Sequence, residues 1–110
     1  MIALVQRVEK ASVKINSIQH SQIGCGLVVL LGIHVKDTQK DAEYLCKKIL
    51  RLRIFSDNNK KINISINEKN ASILVVSQFT LYGDCYKGNR PSFINSASSV
   101  KAKPLYDFFI

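Results

Sequence analysis

Residues 27–33 read Leu-Val-Val-Leu-Leu-Gly-Ile, a seven-residue run without one polar side chain. It is short and rich in branched aliphatic residues, the pattern of a strand buried on both faces. A membrane-spanning helix needs about 20 apolar residues, so this run is roughly a third of a span. The chain must therefore cover the strand with its own residues. With 110 residues it is long enough to do so, because a chain of this size buries roughly two thirds of the surface it exposes unfolded. We expect residues 1–110 to form a single domain.

The segments around that strand set the fold class. Ile2–Val8 alternates, with Ile2, Leu4 and Val8 inward around polar Gln6, and predicts a half-buried strand. Ser12–Ile15 continues with Val13 and Ile15 inward, and Ile18–Ile23 follows as a third strand closed by Gly24 and Gly26. The period then changes to that of a helix over Lys40–Arg51. Ala42, Leu45, Cys46, Ile49 and Leu52 recur at helical spacing, and Thr38 with Asp41 forms an N-terminal cap pair. Arg53–Phe55 reads as a short strand, Asp57–Lys60 as a turn, and Ile62, Ile64 and Ile66 as a strand or extended loop. Ser72–Ser77 is a second central strand, and Gly83–Pro91 a long loop. Pro104 is tolerated only near a first turn, so a last helix is expected to begin near Val100–Lys103. Many short strands with two helices predict an α+β fold of mostly antiparallel or mixed sheets packed on helices.

Composition narrows the function. Sixteen Lys and Arg against eight Asp and Glu give a formal charge of +8, which favours an anionic partner such as nucleic acid. A basic surface without a partner is the bland alternative. Two histidines and three widely spaced cysteines exclude a His-rich or close-spaced metal site. Cys25, Cys46 and Cys85 read as buried thiols of a reduced compartment. Met1 leads directly into a strand pattern and not into a signal peptide, so a soluble cytoplasmic protein with no membrane partner is expected.

Several catalytic classes fall away. Gly24-x-Gly26 precedes a strand and not a helix, so it is no dinucleotide loop. There is no Gly-x-Ser-x-Gly elbow. What remains is Val75–Asp84, where a buried strand runs into Ser77, Gln78, Phe79 and Thr80. At a strand end backbone N–H groups leave the ladder and can hold an oxyanion, while Ser77, Gln78 and Thr80 can orient a substrate. The same residues could also simply cap a strand over a core Phe79. Lys87-Gly88-Asn89-Arg90-Pro91-Ser92-Phe93 sets two cations around a glycine turn beside an aromatic ring, which suits a phosphate-contacting loop or an ordinary exposed one.

At these residues the chain resembles the D-aminoacyl-tRNA deacylases, also called D-tyrosyl-tRNA deacylases. The likeness runs in one register through Met1–Val8, Ala11–Val13, Gly26–Ile33, Arg53–Asp57, Ser77–Leu81 and Gly88–Phe93. The resemblance implies a homodimer of α+β fold, with curved sheets in barrel-like layers and two helices packed outside. It implies hydrolysis of the ester between a D-amino acid, or glycine, and the 3′ end of tRNA, without metal or organic cofactor, at a site on the dimer interface. Ser77, Gln78 and Phe79 would line the pocket for the terminal adenosine and ester, with the Phe79 N–H on the oxyanion. Thr80 would be a candidate nucleophile, in competition with a water assisted by the RNA's own hydroxyl. We favour the water, because a threonine hydroxyl without a neighbouring base is poorly activated. Lys87, Arg90, Pro91 and Phe93 would contact substrate. Ala102 matches a small residue beside the amino-acid pocket, and Arg7 an arginine that steadies the loop reading chirality.

That loop, a Gly-Pro pair in an Asn-x-Gly-Pro-Val-Thr segment, does not occur in these 110 residues. Family members run about a third longer, and the chain stops on Phe108-Phe109-Ile110 without a polar cap. Truncation at the C-terminus is the expectation. The rival reading is a non-catalytic nucleic-acid-binding protein of the same fold.

Overall fold

The computed structural model describes all 110 residues. The elements follow in the order β1 (Ile2–Val8), β2 (Ala11–Ile15), β3 (Ile18–Ile23), β4 (Gly26–Gly32), α1 (Gln39–Arg51), β5 (Arg53–Ser56), β6 (Ile62–Ser65), α2 (Ile66–Lys69) and β7 (Ser72–Ser77). A single 3₁₀ turn (Phe79–Tyr82) and α3 (Ser99–Phe109) complete the chain. This is an α+β fold, as expected. Its strands lie in three separate sheets, β1-β4-β7, β2-β3 and β5-β6, and the last two are antiparallel. No helix is long and apolar enough to cross a membrane.

The chain divides into two compact units. The first comprises Met1–Leu4, Leu30–Cys46 and Val76–Ile110; the second comprises Val5–Val29 and Lys47–Val75. β4 forms as expected but is fully buried on one face only, since Val28 and Leu30 on the other are half-buried. Leu27, Val29 and Leu31 are fully buried, each contributing roughly 1.5–3 kcal/mol by leaving water. In the second unit a methyl on Gly26 would stand 1.8 Å from the Ser72 carbonyl oxygen, so only glycine fits. In the first unit Ile33, Ala97 and Leu105 form a small core, covered by Met1, Ala102 and Tyr106.

Thr38 precedes α1 as expected, and its N–H donates to the Asp41 carboxylate at 2.8 Å. That bond holds the Asp41 carboxyl below its ordinary value. Asp57 likewise secures its turn by accepting from the N–H groups of Lys61 and Asn59, which lowers its carboxyl.

Five further expectations need correction. On β1, Ile2 and Leu4 are 39% and 55% exposed while Ala3 and Val5 are half-buried, so from Ile2 to Gln6 the alternation holds with the opposite face inward; it breaks at exposed Arg7, and Val8 is half-buried as expected. Ile15 is exposed because it closes the two-residue β2–β3 turn, where Asn16 and Ser17 both take positive φ. Ile66 does not continue β6. It starts α2, a third helix, because Ser65 accepts from the Glu68 N–H and its hydroxyl bonds the Glu68 carboxylate, a reciprocal cap. α3 begins at Ser99, which puts Pro104 in its interior. The carbonyl that loses a donor there belongs to Val100, a highly exposed residue where water can substitute. Finally, the cysteines are not buried: Cys25 and Cys85 are exposed and Cys46 is half-buried, all three free. Cys25 sits in the tight β3–β4 connection and Cys85 in the loop after the 3₁₀ turn, where no core covers them.

Candidate functional site at the end of strand β7

β7 ends at Ser77, but pairing with β4 extends one residue further, since the Gln78 N–H donates to the Leu31 carbonyl at 2.8 Å. The chain then turns. Leu81 N–H reaches back to the Gln78 carbonyl at 3.4 Å, and Gly83 N–H closes on the Thr80 carbonyl at 2.9 Å. A helical first turn leaves its leading N–H groups without intrahelical acceptors, here those of Phe79 and Thr80. Gly32 on β4 lies directly under this turn. A methyl there would approach the Leu81 Cβ to 3.2 Å and the Gln78 carbonyl oxygen to 3.3 Å, so the missing side chain sets how closely the turn sits on the strand.

Two of the expected site side chains are linked directly: the Gln78 side-chain amide donates to the Thr80 hydroxyl. An amide cannot take up a proton from that hydroxyl. Phe79 and Phe93 meet edge to face, with ring centroids 5.2 Å apart and planes at 63°. They are 56% and 38% exposed, an aromatic pair open to solvent and available to a flat ligand. Phe79 is therefore not a core residue. A methyl on Gly83 would stand 3.0 Å from the Thr80 carbonyl oxygen and 3.1 Å from the Phe93 ring, so Phe93 lies close beside the turn.

The loop carrying Lys87, Arg90 and Pro91 is exposed. Its base is pinned by paired hydrogen bonds between Asp84 and Ser92, each N–H to the other's carbonyl at 2.8 Å. Ala102 is half-buried against the Ile33, Ala97 and Leu105 core. Arg7 belongs to the second unit, on the wall of an open cleft of about 410 Å³ that also holds Glu9, Cys25, Phe55, Ser56 and Lys69. No cluster of three His, Cys, Asp or Glu side chains is placed to hold a metal ion.

Sequence reasoning missed the support behind the turn. The Met1 ammonium pairs with the Asp37 carboxylate at 2.8 Å, both side chains nearly buried, and Asp37 also accepts from the His34 N–H at 2.7 Å. The His34 ring packs edge-on against Tyr82, the last residue of the turn, at 5.3 Å. Burial raises the Tyr82 phenol above its ordinary value, and the charges of Asp37 and Asp41 add to that. No local pattern announces this group, because its members come from three separate stretches of chain.

The family described as D-Tyr-tRNA(Tyr) deacylase matches residues 4–110. The chain belongs to that family. It is 54% identical over 110 residues to the D-aminoacyl-tRNA deacylase of Thermosipho melanesiensis, covering all of this chain and 73% of that relative. The D-aminoacyl-tRNA deacylase of Thermodesulfovibrio yellowstonii is also 54% identical, with 75% of its length covered. Among solved structures, one titled c-Myc DNA Unwinding Element Binding Protein superimposes with a TM-score of 0.91 at 45% identity, over 97% of this chain and 72% of that one. A second, titled as a probable eukaryotic D-amino acid tRNA deacylase, has a TM-score of 0.79 at 23% identity, over 96% and 62%, and speaks to the fold alone. The chain thus spans about three quarters of the length of the deacylase relatives above.

Proposed function

We propose that this chain hydrolyses the ester of D-aminoacyl-tRNA, releasing the free D-amino acid and tRNA, and so removes wrong-handed amino acids before translation uses them. The observation that carries the reading is the 54% identity to curated deacylases across the whole chain. In this reading the terminal adenosine stacks on the Phe79–Phe93 pair, and the ester carbonyl lies at the 3₁₀ turn. Water oxygen adds to the carbonyl carbon, the bond to the ribose oxygen breaks, and that oxygen leaves with a proton. The Phe79 N–H stabilises the developing oxyanion. Ser77 and Gln78 orient the ester. The Gln78–Thr80 bond argues against Thr80 as nucleophile, since its neighbour is a donor and no base. The RNA hydroxyl beside the ester then assists the water as a relay, taking its proton while passing its own to the departing ribose oxygen.

Glycyl esters would be accepted too, because selection works by excluding the wrong side chain and not by gripping the right one. Ala102 would bound the amino-acid pocket, Arg7 would steady a chirality-reading segment, and Lys87, Arg90 and Pro91 would contact RNA. We take the working form to be a homodimer; the exposed Ile2 and Leu4 on β1 suit such a contact. Its compartment would be the cytoplasm, where charged tRNA is used, and no cofactor is invoked.

The test is release of amino acid from matched D- and L-tyrosyl-tRNA. Hydrolysis of the D-ester alone is expected. Tight tRNA binding with neither ester cleaved would overturn the reading in favour of a non-catalytic nucleic-acid-binding protein.

A further inference from the structure

The charge excess is divided very unequally. The second unit carries ten Lys and Arg against three Asp and Glu, +7; the first carries six against five, +1, although it holds the whole 3₁₀-turn site. Two of the second unit's three acids are committed locally, Asp57 to its own turn and Glu68 to the α2 cap. The unit therefore presents a strongly cationic surface that the ester chemistry does not use.

That charge has a shaped surface on the β2–β3 hairpin. Strand alternation puts Lys10, Ser12 and Lys14 on one side. The register pairs Ser12 with Gln22 and Lys14 with Gln19, and a bulge between these pairs leaves His20 unmatched. Without the bulge, Gln19 and Gln22, three residues apart, would point to opposite faces. With it they share a face, and their side chains hydrogen-bond at 2.7 Å. These five side chains, with Ala11, line a groove of about 430 Å³ that contains two cations, two amides, a hydroxyl and no carboxylate. The glutamine pair spends one donor and one acceptor on itself, so an amide N–H₂ and a carbonyl remain for a ligand.

We propose that this groove docks a stretch of the tRNA sugar–phosphate backbone away from the terminal nucleotide. The lysines meet phosphates and the amides meet ribose hydroxyls. Lys10 and Lys14 stand four residues apart, roughly 13 Å along a strand. One small anion cannot bridge that distance, whereas a polyanion can. The proposal rests on the deacylase reading for the identity of its RNA, and the test separates the two.

The variant is Lys10→Gln with Lys14→Gln, which keeps side-chain length and removes charge. Binding of uncharged tRNA is followed by anisotropy against salt concentration. Each neutralised phosphate contributes about 0.9 to the log–log slope, so the double variant should lower the slope by about two and weaken binding about tenfold. A Lys60→Gln, Lys61→Gln control in the same unit should change the slope by less. Its matching the groove variant, or an unchanged slope in the groove variant, overturns the proposal. In catalysis, KM for D-tyrosyl-tRNA should rise with kcat unchanged, while D-tyrosyl-adenosine, which lacks the rest of the RNA, should be cleaved as by wild type. Equal loss on both substrates overturns the groove. Failure of wild type to cleave either ester overturns the deacylase reading, and the binding slope still decides the groove.

Discussion

The two units solve different problems with different materials. The first is nearly neutral and builds its site from backbone geometry: a strand end, one 3₁₀ turn, two rings and an amide–hydroxyl bond. The second holds almost all the excess charge and builds its groove from side chains on a bulged hairpin. Reaction geometry tolerates little movement, so it is fixed by short-range contacts. Capture of a polyanion works through longer-range fields and tolerates flexible lysines. Changes to the 3₁₀ turn and its ring pair should then alter turnover, and changes to the charge of the hairpin groove should alter affinity and its salt dependence.

The strongest challenge is structural. Gly26→Ala would drive a methyl into the Ser72 backbone, where no rotamer relieves it. We expect a loss at or beyond the ~3 kcal/mol upper end for overpacking, read as a lower denaturant midpoint. A stable, folded variant would show that the β4–β7 approach is looser than described. Phe79→Ala comes next. Base–aromatic stacking is worth about 1–3 kcal/mol, so kcat/KM for the D-ester should fall about tenfold to a hundredfold. The salt slope of tRNA binding should not move, because no charge is lost. A changed slope would erase the division of labour between the units.

Gly32→Ala should act more gently. Its methyl meets the turn at 3.2–3.3 Å and displaces it by a few tenths of an ångström. We expect kcat to fall on the order of tenfold with thermal stability nearly kept; a pure KM effect would refute the role of Gly32 in setting the turn. The smallest effect concerns Tyr82. Its phenol keeps its proton more firmly in the folded state than in the unfolded chain. The unfolded state therefore loses that proton first as pH rises, and stability should decline from the ordinary tyrosine value of about 10 up through the raised folded one. Tyr82→Phe should flatten that decline in thermal unfolding scans.

Much of this was legible in the sequence where one cause acts alone. β4 could be read because an uninterrupted apolar run has one outcome. α1 could be read because its period and its Thr38–Asp41 cap agree. β1 was half legible: alternation gives a period, but Ala3 and Val5 are apolar as well as Ile2 and Leu4, and only tertiary packing chooses the face. α2 was hidden because Ile62, Ile64 and Ile66 suggest a strand, whereas Ser65 and Glu68 carry the stronger local signal. In the site, Ser77–Thr80 stood out as a strand end. The Phe93 contact, the Gly32 underlay and the Asp37 ion pair did not, because each joins residues distant along the chain.

The misplaced cysteines have a practical side. Cys25 lies in the second unit and Cys85 in the first, so each unit carries one exposed thiol, with half-buried Cys46 also in the first. The chain lacks tryptophan, which leaves four tyrosines as its intrinsic fluorophores. A maleimide dye or spin label at each exposed thiol would make the separation of the two units, and its response to tRNA, directly measurable. The same thiols can oxidise between molecules. Without reductant, sizing experiments would count covalently linked pairs together with any non-covalent dimer.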